Sequence, residues 1–335
     1  MKLKLGQWAA LAALAVSASA GMARAAEKVV KVDGSSTVAP VSEATAEEFQ
    51  KTMKDVKVTV GTSGTGGGFK KFCRGETDIS DASRPIQQKE IDEAKKNGIE
   101  FIELPICFDA LTVVINKDNT WADTMTVDEL KKLWEPDAAG KITKWNQIRP
   151  EWPDAKIELY GPGTDSGTFD YFTEAVNGKS KASRPDYTAS EDDNILVKGV
   201  EGSKNAIGYF GFSYYLAHKD RLKAVKIDWK QNKNGPVEPS KENVIKGTYQ
   251  PLSRPLFIYV NKKSAQTKPE VRKFVEFYLN NVSKLAEEVK YVALPEAAYE
   301  MAKSRFAKLE TGTAFGGHSE IGMSIEELMK KPLQN

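Results

Sequence analysis

The sequence predicts an α/β fold built mainly of βα units, and three observations carry that prediction. A short strand runs into a glycine- and hydroxyl-rich turn and then a helix three times, starting from Val29–Val32, Val56–Val60 and Ile157–Tyr160. Two strings of equal length and similar ending, Leu111–Asn116 (LTVVIN) and Leu256–Asn261 (LFIYVN), flank a central insert. Amphipathic helical stretches close the chain at Lys268–Asn281, Ser283–Tyr291 and Ile325–Lys330. Matching strands around an insert describe a chain that crosses to a second lobe and returns. Strand-to-helix turns then converge on the cleft between the lobes, where α/β proteins bind ligands.

The elements follow in order. Lys2 and Lys4, the apolar run Trp8–Ala20 and the small-x-small tripeptide Ala23-Arg24-Ala25 form a signal peptide over residues 1–25, cleaved near Ala25. The apolar run is too short for a permanent membrane span, and no cysteine sits near the cleavage point to take a lipid. The expected product is a soluble, exported chain of about 310 residues, a length that suits two domains. In the first unit the strand ends in Asp33-Gly34-Ser35-Ser36-Thr37 and passes into a helix over Val38–Met53, with Pro40 in its first turn. In the second, Gly61–Gly68 is read as a nest-like turn that exposes backbone N–H groups, with a helix beginning at Phe69–Arg74. Helices are expected at Gln87–Lys96 and Val127–Trp134, and a buried strand at Asn205–Phe212.

The third unit, Gly161–Phe172 (GPGTDSGTFDYF), is the most informative. Ser166 suits an N-cap, and Gly167 lets an external group approach the backbone. The first-turn N–H groups and the positive end of the helix dipole would then meet at one spot, an arrangement suited to an anion. The same stretch also reads as an ordinary capped helix, but the chain repeats the device twice more. Arg84, in the small-residue segment Asp78–Pro85, adds a fixed cation with a planar fork of donors.

Charge and composition narrow the function. The leader holds three of the 48 basic residues and none of the 46 acidic ones, so the exported chain is nearly neutral. That excludes a nucleic-acid-binding composition, and any anion must be recognised locally. Cys73 and Cys107 are the only cysteines, and in an oxidising compartment they read either as a disulfide or as two buried thiols. The only histidines, His218 and His318, lack ligand spacing with the cysteines, so no zinc or other metal site and no cofactor are expected.

GSSTVAP, GTSGTGGGFKKF, DISDASRPI and GPGTDSGTFDYF, in this order after a signal peptide, resemble the periplasmic phosphate-binding protein of the Pst-type ABC importer. The resemblance covers essentially the whole exported chain. It implies a two-lobed type II periplasmic binding-protein fold that closes on inorganic phosphate and delivers it to an inner-membrane ABC permease, working as a monomer. Carried over motif by motif, the implied ligand residues are Ser36 and Thr37, then Ser63, Gly64 and Thr65, then Ser166, Gly167 and Thr168. The commonest family pattern has an Asp where this chain has Arg84, and an Arg where it has Pro162. Arg84 is therefore expected to make the main ionic contact. A carboxylate that accepts the ligand's proton would favour phosphate over sulfate. Asp165 is the first candidate and Asp81 the second, and each also reads as a turn or capping aspartate.

Three other readings stand beside this one. The first is a binding protein for sulfate, molybdate or tungstate. The second is an exported serine hydrolase using Ser166 or Ser63, which would need a base within reach that neither histidine obviously supplies. The third is a periplasmic scaffold that keeps the fold without a ligand. The expected division places 26–110 and 255–335 in the first lobe and 111–254 in the second.

Overall fold

The computed structural model describes residues 28–164, 166–190, 192–318 and 324–334. The expected leader and Asp165 lie outside the described residues. The chain runs β1 (Lys28–Gly34), α1 (Ala39–Thr52), β2 (Val56–Gly61), α2 (Thr65–Phe72), β3 (Ile79–Ala82), α3 (Gln88–Lys96) and β4 (Phe101–Asn116). It continues through β5 (Thr124–Thr126), α4 (Val127–Trp134), β6 (Glu158–Gly161), α5 (Gly167–Asn177), β7 (Thr188–Ala189), α6 (Asp193–Gly202), β8 (Ala206–Gly211) and α7 (Phe212–His218). Then come β9 (Leu222–Ala224), β10 (Lys226–Asp228), β11 (Pro236–Val237), α8 (Lys241–Ile245) and β12 (Ser253–Asn261). The end is α9 (Lys262–Thr267), α10 (Pro269–Glu288), β13 (Val292–Ala293), α11 (Glu296–Lys308) and α12 (Ile325–Lys330).

The main sheet follows the order β2-β1-β3-β12-β4-β8-β6-β7, with β13 and β9 also paired to β4. The long strand β4 joins its two parts. Phe101–Ala110 pairs antiparallel with β12, and Leu111–Ile115 pairs antiparallel with β8. All sixteen residues of β4 are buried, as a near-continuous apolar run covered on both faces would be. At the junction, the Leu111 N–H donates to Leu252 O at 2.8 Å, so the outgoing and returning chains are tied together there.

The strand-turn-helix reading holds for the first unit, where Pro40 lies in the opening turn of α1. Two readings are corrected. First, α2 starts at Thr65 rather than near Phe69, so the glycines Gly66–Gly68 form its first turn. The physical reason is close packing, since a methyl group on Gly68 would lie 2.5 Å from Gly34 Cα. Second, the two helices expected across Lys268–Tyr291 are the single twenty-residue α10. Asn281, mid-helix, satisfies its side chain on Phe277 O rather than ending the helix. LTVVIN pairs with β8 and β9, and LFIYVN with β3 and the first part of β4.

The disulfide alternative is not realised. Cys73 and Cys107 are both free and buried, and the Cys73 thiol donates to Glu90 O at 3.3 Å. Burial pushes the Cys73 thiol up to about 12. Phe172 of α5 stacks on Tyr209 of β8 at 3.7 Å, and Trp134 meets both rings edge-on. Each such buried ring contributes roughly 1.5–3 kcal/mol of apolar burial, and together they hold α5 where its N-terminus meets Thr37.

Candidate functional site

A cleft of about 160 Å³ is lined by Ser35, Ser36, Thr37, Gly64, Thr65, Ser83, Arg84, Asp170, Glu174, Ser180 and Arg254. This is small beside the roughly 300–1,000 Å³ of clefts that take drug-sized ligands, and it suits a compact polar guest. A larger, shallower groove of about 510 Å³ beside Lys226, Asn234 and Glu238 contains none of the motif residues, so the chemistry points to the smaller cleft.

The first turn is built by backbone closure. The Ser35 N–H donates to Asp81 O at 2.9 Å, Ser35 O accepts from the N–H groups of Val38 and Ala39, and the Thr37 N–H donates to Ser35 Oγ. Ser36 is exposed at the tip, while Thr37 is buried. Tyr291 holds the turn from behind, its hydroxyl donating to Thr37 O at 2.7 Å. In the second turn Gly64 and Thr65 line the cleft, but Ser63 does not. Its hydroxyl donates to Asp33, which also receives the Lys71 ammonium at 2.6 Å. These two donors hold the Asp33 carboxyl below the usual carboxylate range against the opposing effect of its burial. The Thr65 hydroxyl joins the second turn to the next loop through the Ser83 hydroxyl at 3.0 Å and the Ser83 N–H at 3.2 Å.

In the third unit Ser166 caps α5, accepting from the Thr168 N–H at 3.2 Å. Ser166, Gly167 and Thr168 are not among the residues that line the cleft, whereas Asp170 and Glu174, one turn apart on the same helix, are. Gly167 packs directly on Thr37.

Arg84 lies in the cleft wall but is already engaged. Its Nη1 and Nη2 donate to the two oxygens of Glu90 at 2.9 and 2.8 Å, and Nη1 also donates to Pro85 O. Glu90 in turn accepts the Gln87 N–H in a capping box of α3. The Arg84 charge is thus neutralised within the protein.

The second cation, Arg254, was not read from the sequence. Its Nε and Nη2 reach Asp109 Oδ2, each at 3.4 Å, and Nη2 reaches Thr37 Oγ1 at 3.3 Å. These bonds are long, and Nη1 has no hydrogen-bond partner among the described residues. Arg254 therefore keeps a free donor end where it lines the cleft. A sequence signal existed. The tripeptide Ser-Arg-Pro occurs at Arg84, Arg184 and Arg254, with each Arg biased to extended backbone by the following proline. Arg184 is buried on Asp186, Leu133 O and Ile142 O, while the other two line the cleft.

The carboxylates sort in the same way. Asp81 is fully buried beneath the first turn and does not line the cleft. Its Oδ1 accepts from the Ser42 hydroxyl at 3.0 Å, its Oδ2 has no partner among the described residues, and burial raises it to about 7. Asp170 does line the cleft. Its Oδ1 is shielded from solvent and has no hydrogen-bond partner among the described residues, with Lys181 Nζ 3.8 Å away. Burial raises the Asp170 carboxyl, and the nearby Glu174 adds to that, against the pull of Lys181 and Arg254. No histidine lines the cleft. His218 sits on α7 with Nδ1 at 3.1 Å from Tyr214 O. Among the described residues, no cluster of His, Cys, Asp and Glu is arranged to hold a metal ion.

A family profile described as "PBP superfamily domain" matches residues 18–282. The protein SphX of Synechocystis sp. (strain ATCC 27184 / PCC 6803 / Kazusa) is 54% identical over 302 residues, covering 90% of this chain and 89% of its own. The phosphate-binding protein PstS of Staphylococcus saprophyticus is 41% identical over 281 residues, covering 83% and 84%. Among solved structures, a possible phosphate binding protein from Planctomyces limnophilus DSM 3776 aligns at a TM-score of 0.80 and 50% identity, over 85% of this chain and 99% of that one. An ABC-type phosphate transport receptor from Vibrio cholerae aligns at 0.63 and 23% identity, over 80% and 100%, and shows the shared fold alone.

Proposed function

Since the chain belongs to the PBP superfamily, among the phosphate-binding proteins of Pst-type ABC transport, we propose that its interlobe cleft binds inorganic phosphate and that it delivers this cargo to an inner-membrane ABC permease. The fold is the two-lobed α/β fold of type II periplasmic binding proteins. Export to the periplasm, a monomeric state and the division into 26–110 with 255–335 and 111–254 belong to the same proposal. Among the described residues no helix is long and apolar enough to cross a membrane.

The observation that carries this reading is that one small cleft is lined both by Arg254, which keeps a free guanidinium end, and by the Asp170 carboxylate, which Lys181 approaches only at 3.8 Å. A fully deprotonated anion would meet repulsion from Asp170. A protonated one donates a hydrogen bond to it, while its charged oxygens take Arg254, the hydroxyls and the turn N–H groups. Hydrogen phosphate fits this pattern and sulfate does not. In this reading Arg254 replaces Arg84 as the main cation, and Asp170 replaces Asp165 and Asp81 as the proton acceptor. Ser36, Thr37, Gly64 and Thr65 bind the anion in the closed cleft. Ser63, Ser166, Gly167 and Thr168 shape the turns around it.

Equilibrium dialysis with labelled phosphate, competed by sulfate, molybdate and arsenate, tests the proposal. Phosphate retained at one site per chain, displaced by arsenate and not by sulfate, is the expected result. Retention of sulfate or molybdate in preference to phosphate would replace the cargo and leave the binding fold standing.

A further inference from the structure

Resting on the reading that Arg254 is the ligand's cation, we propose that Tyr171 is the positioning residue for that guanidinium and sets the plane of the fork that meets the anion. Arg254 begins the returning strand β12, directly opposite Asp109 in β4, at the point where the chain passes between lobes. Its guanidinium carbon lies 3.8 Å from the centre of the Tyr171 ring. Tyr171 comes from α5 of the second lobe, and Thr37, which Nη2 reaches, comes from the first turn of the first lobe. Arg254 thus touches both lobes and the crossing at once.

The ring contact differs in kind from the others. The bonds to Asp109 and Thr37 are long, and each uses an N–H. Stacking on an aromatic face uses none, because all five guanidinium N–H bonds lie in the plane of the group. The ring therefore sets the plane of the fork while leaving Nη1 available to an anion. The ring is itself fixed, being buried, with its hydroxyl donating to Pro251 O at 2.7 Å, three residues ahead of Arg254.

The test is phosphate affinity of the full chain in a double-mutant cycle, because a pairwise contact shows as non-additivity. Tyr171→Phe keeps the ring and is expected to bind phosphate within about threefold of wild type. Tyr171→Leu removes the ring and is expected to lose about tenfold, with Tyr171→Met as the variant to use if the leucine form does not fold. In an Arg254→Ala background, removing the ring should change affinity less than about twofold. Equal losses for Phe and Leu, wild-type affinity without the ring, or the same loss in both backgrounds would each overturn the proposal. Wild-type affinity in Arg254→Ala alone would instead overturn the assignment of the cation on which it rests.

Discussion

A methyl group on Gly167 would lie 2.5 Å from Thr37 Oγ1 and 3.3 Å from Thr37 Cα, so the start of α5 meets the Gly34–Thr37 turn through a glycine. That contact is closer than side-chain atoms allow. Gly167→Ala should therefore hold the cleft partly open and weaken phosphate binding by about tenfold, or about 1.4 kcal/mol, with the thermal midpoint of the ligand-free chain little changed. Calorimetry and a melting curve on the same sample check both halves.

The two cleft arginines should separate by phenotype. Arg254→Ala removes a guanidinium with a free end and should cost about 3 kcal/mol of phosphate binding, roughly a hundredfold. Arg84→Ala removes a bidentate partner from the mostly buried Glu90 and should cost stability instead, on the order of 2–3 kcal/mol. Denaturant midpoints measured beside affinities decide between these roles. A larger affinity loss in Arg84→Ala would return the cation to that loop.

Asp170→Asn should narrow the preference for phosphate over sulfate. An amide can donate to a proton-free oxygen, which a carboxylate repels. Sulfate affinity should rise and phosphate affinity fall, each measured by competition. Unchanged selectivity would remove Asp170 as the reader of the ligand's proton.

Asp81 should make stability depend on pH in the direction opposite to a salt-bridged carboxylate. Its folded-state value is raised to about 7 by burial, above the ordinary 3.8. The folded chain thus holds the proton more tightly than the unfolded one. The stabilisation is full below the unfolded value and is lost as pH rises through about 7. Asp81→Asn should remove that slope, so the variant gains on wild type as pH increases from 4.5 to 7.5, by a few kcal/mol at most. Urea midpoints of both chains across that range provide the comparison.

The parts of this structure legible in the sequence are those set by local chemistry. The turn at Gly34–Thr37, the cap at Ser166 and the helix Val127–Trp134 each follow from residues within a few positions of one another. The start of α2 was misplaced because a glycine run reads as a turn, and only the approach of Gly34 shows why Gly68 lies in a helix. Arg254 and Asp170 escaped notice for a different reason. Arg254 lies 217 residues from the Thr37 it reaches. Asp170 sits inside a helix, where an aspartate ordinarily faces water. Its place in the cleft wall depends on which face of α5 Phe172 and Tyr209 turn toward the core. The bond from Ser63 to Asp33 was not legible for a like reason, since Asp33 lies thirty residues away at the end of β1.

Calorimetric titration of the wild-type chain, stripped of bound ligand by partial unfolding and refolding, tests the central claim most directly. With phosphate it should show one site per chain at micromolar affinity or tighter, about −8 kcal/mol or better, with arsenate similar and sulfate weaker by at least about tenfold. Sulfate binding as tightly as phosphate, or no heat with either anion, would contradict the account.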